Sequence, residues 1–447
     1  MLPEPALSFT IPSLHDGTNL DCRVFHPVSL AATNIEAPPW RRYAALMAHP
    51  YAPMGGCYDD PVLESVAATL LRTGYLVGTF NFRGAGQSAG RTSWTAKPER
   101  IDYASMVGFM VHYIHFLDPF AQNSTPGAST DEEASPADTQ ETPQSVPDTL
   151  STGTPTLLMG GYSYGAMITA QIAPLGRLLE PFVSPRADSN AAQIRLRAQH
   201  LAEQQNIILR SMRSAILQVR NPHGAARRSG SVRIGGDEGD RPSRKSHESF
   251  FRRSLSLDTE DRFRRGVHDF MAKRKARHPH LHWPRHTRSA SSDMTRKESL
   301  DAPAAEEAAG EKVNQNGDRA VDGEKLPVIM GLLRPRPAYL LVSPLQGLVT
   351  HLATMSLLPS RMRPQHDDAA EQKLVANATL AVFGDNDVFV SAGKLRTWMA
   401  RLRDRQGSLF TGYEVASAGH FWEEDDVLRL MTERIGAFSA GLMDDGG

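Results

Sequence analysis

The chain of 447 residues carries 49 Lys and Arg against 50 Asp and Glu, a formal net charge of −1, and is 40% hydrophobic. That balance argues against a nucleic-acid-binding protein taken as a whole, and no run of about 18 apolar residues is present to span a membrane. With only two cysteines, Cys22 and Cys57, and no Cys-x-x-Cys pair, neither a disulfide framework nor a structural zinc site is expected.

The opening stretch, MLPEPALSFTIPSLHDG, has neither the basic segment nor the apolar run of a signal peptide, so a reducing, cytoplasmic setting is expected. LSFTIPS and LDCRVFHP flank a turn containing Asp-Gly and read as a hairpin. YAALMAH, residues 43–49, is a short buried strand. Asp60 and Pro61 have the form of an N-cap and first helical residue, and the helical pattern after them ends at Gly74. YLVGTF is the next buried strand; it runs into the glycine-rich turn NFRGAGQSAG, and a helix is predicted from about Asp102 to Leu117.

Composition then shifts. Residues 121–155 are rich in Pro, Ser and Thr, with six acidic residues and no Lys or Arg, and read as a disordered loop. Residues 156–221 read as a strand, a tight turn and helices. Residues 222–335 are again poor in packing residues and read as a second, basic disordered insertion. Over residues 221–300 the chain holds 19 Lys and Arg against 10 Asp and Glu. The Arg-x-x-Ser pattern ending at Ser231, Ser256, Ser291 and Ser299 is the form of a basic kinase target, where an added phosphate would pair with nearby arginines. The histidines at His278, His280, His282 and His286 lack an ordered scaffold, so a solvated His-rich stretch is expected there rather than a metal site. No stable nucleic-acid complex is expected. Order returns over 336–447, with strands at PAYLLVSPL, ATLAVFGDND and LFTGYEVASAGHFW and an amphipathic helix at the end.

Short apolar strands alternating with helices predict a mostly parallel, twisted sheet covered on both faces. Setting the two insertions aside leaves roughly 300 residues, the size of one α/β domain whose first half is residues 1–120.

GYSYG, residues 161–165, fits Gly-x-Ser-x-Gly between an apolar strand and a helix. Glycines on both sides suit a serine held on a sharp strand-to-helix turn, where the helix N-terminus favours developing negative charge. A serine needs a base, and the base an orienting acid. VFGDND places Asp385 and Asp387 in a loop after an apolar strand, and SAGHFW places His420 in a loop after the last one. In an open parallel sheet, that edge is where ligand and catalytic groups gather.

With these motifs in place, the chain resembles the α/β-hydrolase superfamily. It is similar in particular to small cytosolic serine hydrolases carrying an HPxxxxGG loop (here residues 49–56) and an NFRGxGxS turn (here 81–88). The resemblance implies an α/β-hydrolase fold with Ser163 as nucleophile, His420 as base and Asp387 as acid, Asp385 being the alternative acid. It also implies oxyanion donors at the N–H of Tyr164 and of Tyr51, or of Ala52 instead of Tyr51 since Pro50 has none. His49 is expected to be a structural strand-end residue, and Arg83 to brace a tight loop, because RGAGQSAG lacks the dinucleotide spacing. Tyr162, Tyr164, Phe421 and Trp422 are expected near the mouth of the site, and residues 345–362 form either a cap over it or an ordinary core helix. The reading is a cofactor-free serine hydrolase acting on a small-molecule ester, thioester or amide. The alternatives are a non-catalytic scaffold whose basic insertion binds partners and an acyltransferase with the same triad.

Overall fold

The computed structural model describes residues 2–34, 40–120, 154–220, 324–345 and 366–444. Most of the acidic segment, the serines and histidines of the basic segment, and all but the first residue of the expected cap lie outside the described residues.

Eight strands form the sheet among the described residues: β1 (Leu7–Pro12), β2 (Asn19–Phe25), β3 (Ala44–Ala48), β4 (Leu76–Phe80), β5 (Thr156–Tyr162), β6 (Arg336–Val342), β7 (Thr379–Gly384) and β8 (Phe410–Val415). Their order is β1-β2-β4-β3-β5-β6-β7-β8. β1 and β2 pair antiparallel, β2 pairs antiparallel with β4, and every pairing from β4 to β8 is parallel. Every residue of β3, β4, β5 and β7 is buried. A strand covered on both sides cannot alternate polar and apolar residues, which is why these segments read as unbroken apolar runs.

Two apolar cores flank the sheet. One face is covered by α1 (Pro61–Thr73), which contributes Leu63, Val66 and Leu70. The other is covered by α2 (Lys97–Phe116), α3 (Tyr164–Gln171), the short α4 (Leu175–Leu179), α5 (Asn190–Arg220), α6 (His366–Ala376) and α7 (Ala392–Arg403). A last helix, α8 (Val427–Asp444), adds Met431 and Ile435 beside α1. No described helix is long and apolar enough to cross a membrane.

α1 begins as its sequence implies: one oxygen of Asp60 accepts from the N–H groups of Val62 and Leu63, both at 3.0 Å, and Gly74 closes the helix at φ +106°. α2 starts five residues before the predicted position. Ala96 precedes it in a left-handed conformation and Pro98 falls in the first turn, where a missing N–H costs nothing. Asp102 is therefore not a helix start but a fully buried carboxylate within α2. Arg83 binds it through Nη2 at 2.7 Å and Nε at 2.9 Å, and also reaches Asp16 at 2.8 Å and Ser13 at 3.2 Å. The arginine thus joins the glycine-rich turn after β4, the turn between β1 and β2, and α2. The pairing holds Asp16 well below the usual carboxylate range.

Part of the segment assigned from composition to the basic insertion packs onto the body. Lys325 bridges to Arg186, and the Pro327 carbonyl accepts from Arg195 at 2.5 Å. Thr154 and Pro155 likewise lead directly into β5, the Pro155 carbonyl accepting from the N–H of Arg336 at 2.7 Å. Composition hides such stretches because their order comes from main-chain pairing, which leaves no apolar periodicity.

Candidate active site

The parallel register brings the C-terminal ends of β3, β5, β7 and β8 to one edge: Ala48 sits opposite Gly161, Tyr162 opposite Val342, and Gly384 opposite Val415. Ser163 follows β5 directly and has φ +56° and ψ −112°, a conformation glycine tolerates and serine does not adopt without strain. Its N–H donates to the Val342 carbonyl at 2.8 Å. The flanking glycines are required by space. A Cβ on Gly161 would fall 2.4 Å from the Gly165 carbonyl carbon, and one on Gly165 would fall 2.2 Å from the Ala48 oxygen. The strand, the turn and the helix are packed too closely for any side chain at either position.

His420 Nε2 lies 2.9 Å from Ser163 Oγ, and His420 Nδ1 lies 2.7 Å from Asp387 Oδ2. An ionised Asp387 can only accept, so Nδ1 carries the proton and Nε2 is left to accept from the serine hydroxyl. Asp387 Oδ1 accepts from the N–H groups of Phe389 at 2.8 Å and Val390 at 3.0 Å, which fixes the carboxylate. Asp385 faces elsewhere. Its carboxylate accepts from the N–H of Ser417 at 2.7 Å, and the Asn386 N–H donates to the Ala418 carbonyl at 3.0 Å. Asp385 therefore ties the loop after β7 to the loop that carries His420.

The Tyr51 and Tyr164 rings stand 5.1 Å apart, and among the described residues the N–H of neither enters a backbone hydrogen bond. Tyr164 opens α3, where an N–H has no partner within the helix. His49 is fully buried behind this loop. Its Nε2 accepts from the N–H of Phe82 at 2.8 Å, so the proton is on Nδ1, which donates to the Pro50 carbonyl at 2.6 Å. Burial pushes His49 down to about 4, and its neutral ring pins the residue before Tyr51.

These groups face a cleft of about 330 Å³ whose walls include Tyr51, Tyr162, Ser163, Phe389, His420 and Phe421. Of the four aromatic residues expected at the mouth, Tyr162 and Phe421 line the cleft. The other two do not. Tyr164 is buried, its phenol oxygen without a partner among the described residues, and Trp422 is buried with its indole N–H donating to Ser343 Oγ at 3.1 Å. Two cleft residues carried no site signal in the sequence. Phe389 packs edge-on against the His420 ring at 4.8 Å, and Asp60 was explained by its helix cap alone. Burial raises Asp60, opposed by the Leu63 and Val62 N–H groups and by His420.

The strand order, the strained serine turn after β5 and the aspartate and histidine loops after β7 and β8 define an α/β-hydrolase fold. No protein-family model matches the chain, and no curated protein matches it. Among solved structures it is similar to an alpha-beta serine hydrolase homologue from Coxiella burnetii, with 11% identity and a TM-score of 0.39 over 98% of this chain and 99% of that one. It is also similar to an α/β serine hydrolase without lid from Xanthomonas campestris, with 12% identity and a TM-score of 0.41 over 99% and 97%. An esterase from Pyrococcus furiosus gives 9% identity and a TM-score of 0.38 over 97% and 88%. At these TM-scores the likeness adds nothing to the description of the site, which stands on its own geometry.

Proposed function

We propose that the protein is a serine hydrolase that cleaves a small-molecule ester, thioester or amide through an acyl-enzyme on Ser163. The observation that carries the reading is the unbroken chain of contacts from Asp387 through His420 to the strained Ser163, opening into a cleft. In this reading His420 takes the serine proton as Oγ attacks the acyl carbon, and Asp387 holds the tautomer and stabilises the imidazolium. The N–H groups of Tyr51 and Tyr164 stabilise the oxyanion, an interaction worth about 3–4 kcal/mol per donor. His420 then delivers its proton to the leaving group, and a water activated by the same ring hydrolyses the acyl-enzyme.

A fluorophosphonate probe is expected to label the wild-type protein at Ser163 and to leave Ser163→Ala unlabelled, with ester turnover down by about 10⁶-fold in that variant. A folded wild-type protein that neither takes the label nor hydrolyses any acyl ester would overturn the reading.

A further inference from the structure

The cleft beside Ser163 holds a carboxylate that the hydrolytic reaction does not use. Asp60 caps α1 with one oxygen only, Oδ1, which accepts from both Val62 and Leu63. The other oxygen has no hydrogen-bond partner among the described residues, and Asp60 lines the cleft with Tyr51, Tyr162, Phe389 and Phe421. No Lys or Arg is among the described lining residues. A cap does not call for a charge, since asparagine or serine serves equally well at an N-cap.

The chain segment after His420 carries the same sign, with Arg429 paired to Asp426 at its far end. From His420 the chain passes through Phe421 and Trp422 into Glu423, Glu424, Asp425 and Asp426, all four exposed. Glu424 lies against Gly419, next to the histidine, so this acidic run flanks the His420 loop. A half-buried carboxylate gains from a positive partner that replaces its lost water. Aromatic ring faces attract cations as well. An acidic surround raises the local concentration of positively charged solutes.

We propose that the cleft selects substrates bearing an ammonium group, with Asp60 as the specificity-determining contact. This rests on the hydrolase reading above and names its substrate class: an ester or amide of a cationic amine or amino acid rather than a plain fatty acyl ester. The free oxygen of Asp60 pairs with the cation, and the aromatic walls pack around its alkyl groups.

Two arms test this. The first compares the p-nitrophenyl ester of a trimethylammonio-alkanoic acid with that of its neutral tert-butyl isostere. The wild-type protein is expected to favour the cationic ester at least tenfold in kcat/KM. Asp60→Asn, which keeps the cap, is expected to bring the ratio close to one. The second arm uses no catalysis: Ser163→Ala protein is titrated with phenethylammonium and with phenethyl alcohol. The cation is expected to bind at least tenfold more tightly, and to lose that advantage when Asp60→Asn is added. A wild-type ratio near one, a ratio unchanged by Asp60→Asn, or equal or absent binding of the two titrants would overturn the proposal. If no ester is hydrolysed while the cation still binds through Asp60, it is the hydrolase reading that fails.

Discussion

The phenol of Tyr162 donates to the main-chain carbonyl of His420 over 2.8 Å, within the protein interior. The residue just before Ser163 therefore holds the loop of His420, which lies 258 positions further along the chain. Serine and imidazole are placed relative to each other by this bond as well as by their own contact.

Tyr162→Phe removes the donor and strands a buried carbonyl, at a cost of about 1–3 kcal/mol. We expect a lower urea midpoint together with a loss in kcat of about tenfold, equivalent to ~1.4 kcal/mol in the barrier, at nearly constant KM. Denaturation curves and ester kinetics on the same preparation check both. Unchanged kcat would mean that Ser163 and His420 find each other without this anchor.

The two aspartates of the VFGDND loop should separate cleanly. Asp387→Asn leaves a side chain that can donate to Nδ1 and so favours the wrong imidazole tautomer; a loss in kcat of about 10⁴-fold is expected. Asp385→Asn keeps an acceptor for the Ser417 N–H, weakening only a charge-assisted hydrogen bond that braces the histidine loop. Its expected effect is under about tenfold in kcat, a limit of roughly 1.4 kcal/mol. Equal losses in the two variants would contradict the assignment.

That pair also marks how far the sequence could be read. β7 could be recognised because a strand buried on both faces is apolar throughout, so the loop after it could be placed. Asp385 and Asp387 leave the same strand two residues apart, and only the folded loop turns one toward His420 and the other toward Ser417. Arg83 was legible as a brace, but its partner Asp102 was not, since a carboxylate at that point in the sequence resembles a helix start. Asp60 was legible as a helix cap but not as a cleft residue: the cap accounts for one oxygen, and nothing local in the sequence tells where the second oxygen points.

The stability of the fold should fall in mild acid. His49 and His112 are fully buried, and burial pushes each from an ordinary value of 6.5 down to about 4. Between those values the unfolded chain binds protons that the folded chain refuses, so stability rises with pH across that window. The contribution is complete above about pH 6.5 and is lost as pH falls toward 4, to an upper limit of roughly 3 kcal/mol per histidine. Urea midpoints measured across the window should fall steadily. His112→Phe is informative, because Nε2 of His112 has no partner among the described residues and its ring packs on Phe182 at 5.6 Å. That variant should lose about one proton from the pH slope, and an unaltered slope would show that His112 is not the group being titrated.

The turn at Ser163 should itself reduce stability. A non-glycine residue at φ +56° and ψ −112° carries strain of about 1–3 kcal/mol, held in place here by packing among β5, α3 and β3. Alanine at this position keeps the Cβ and the strain, whereas glycine removes both at an unfolded-state entropy cost of about 0.5–1 kcal/mol. Ser163→Gly and Ser163→Ala should therefore be equally unreactive toward a fluorophosphonate, with the glycine variant the more stable by about 1 kcal/mol, or a few degrees in Tm. The comparison isolates the backbone, because both variants lose the same contact with His420. Equal melting temperatures would mean that the serine sits in its turn without strain, and the glycines beside it would then serve close packing alone.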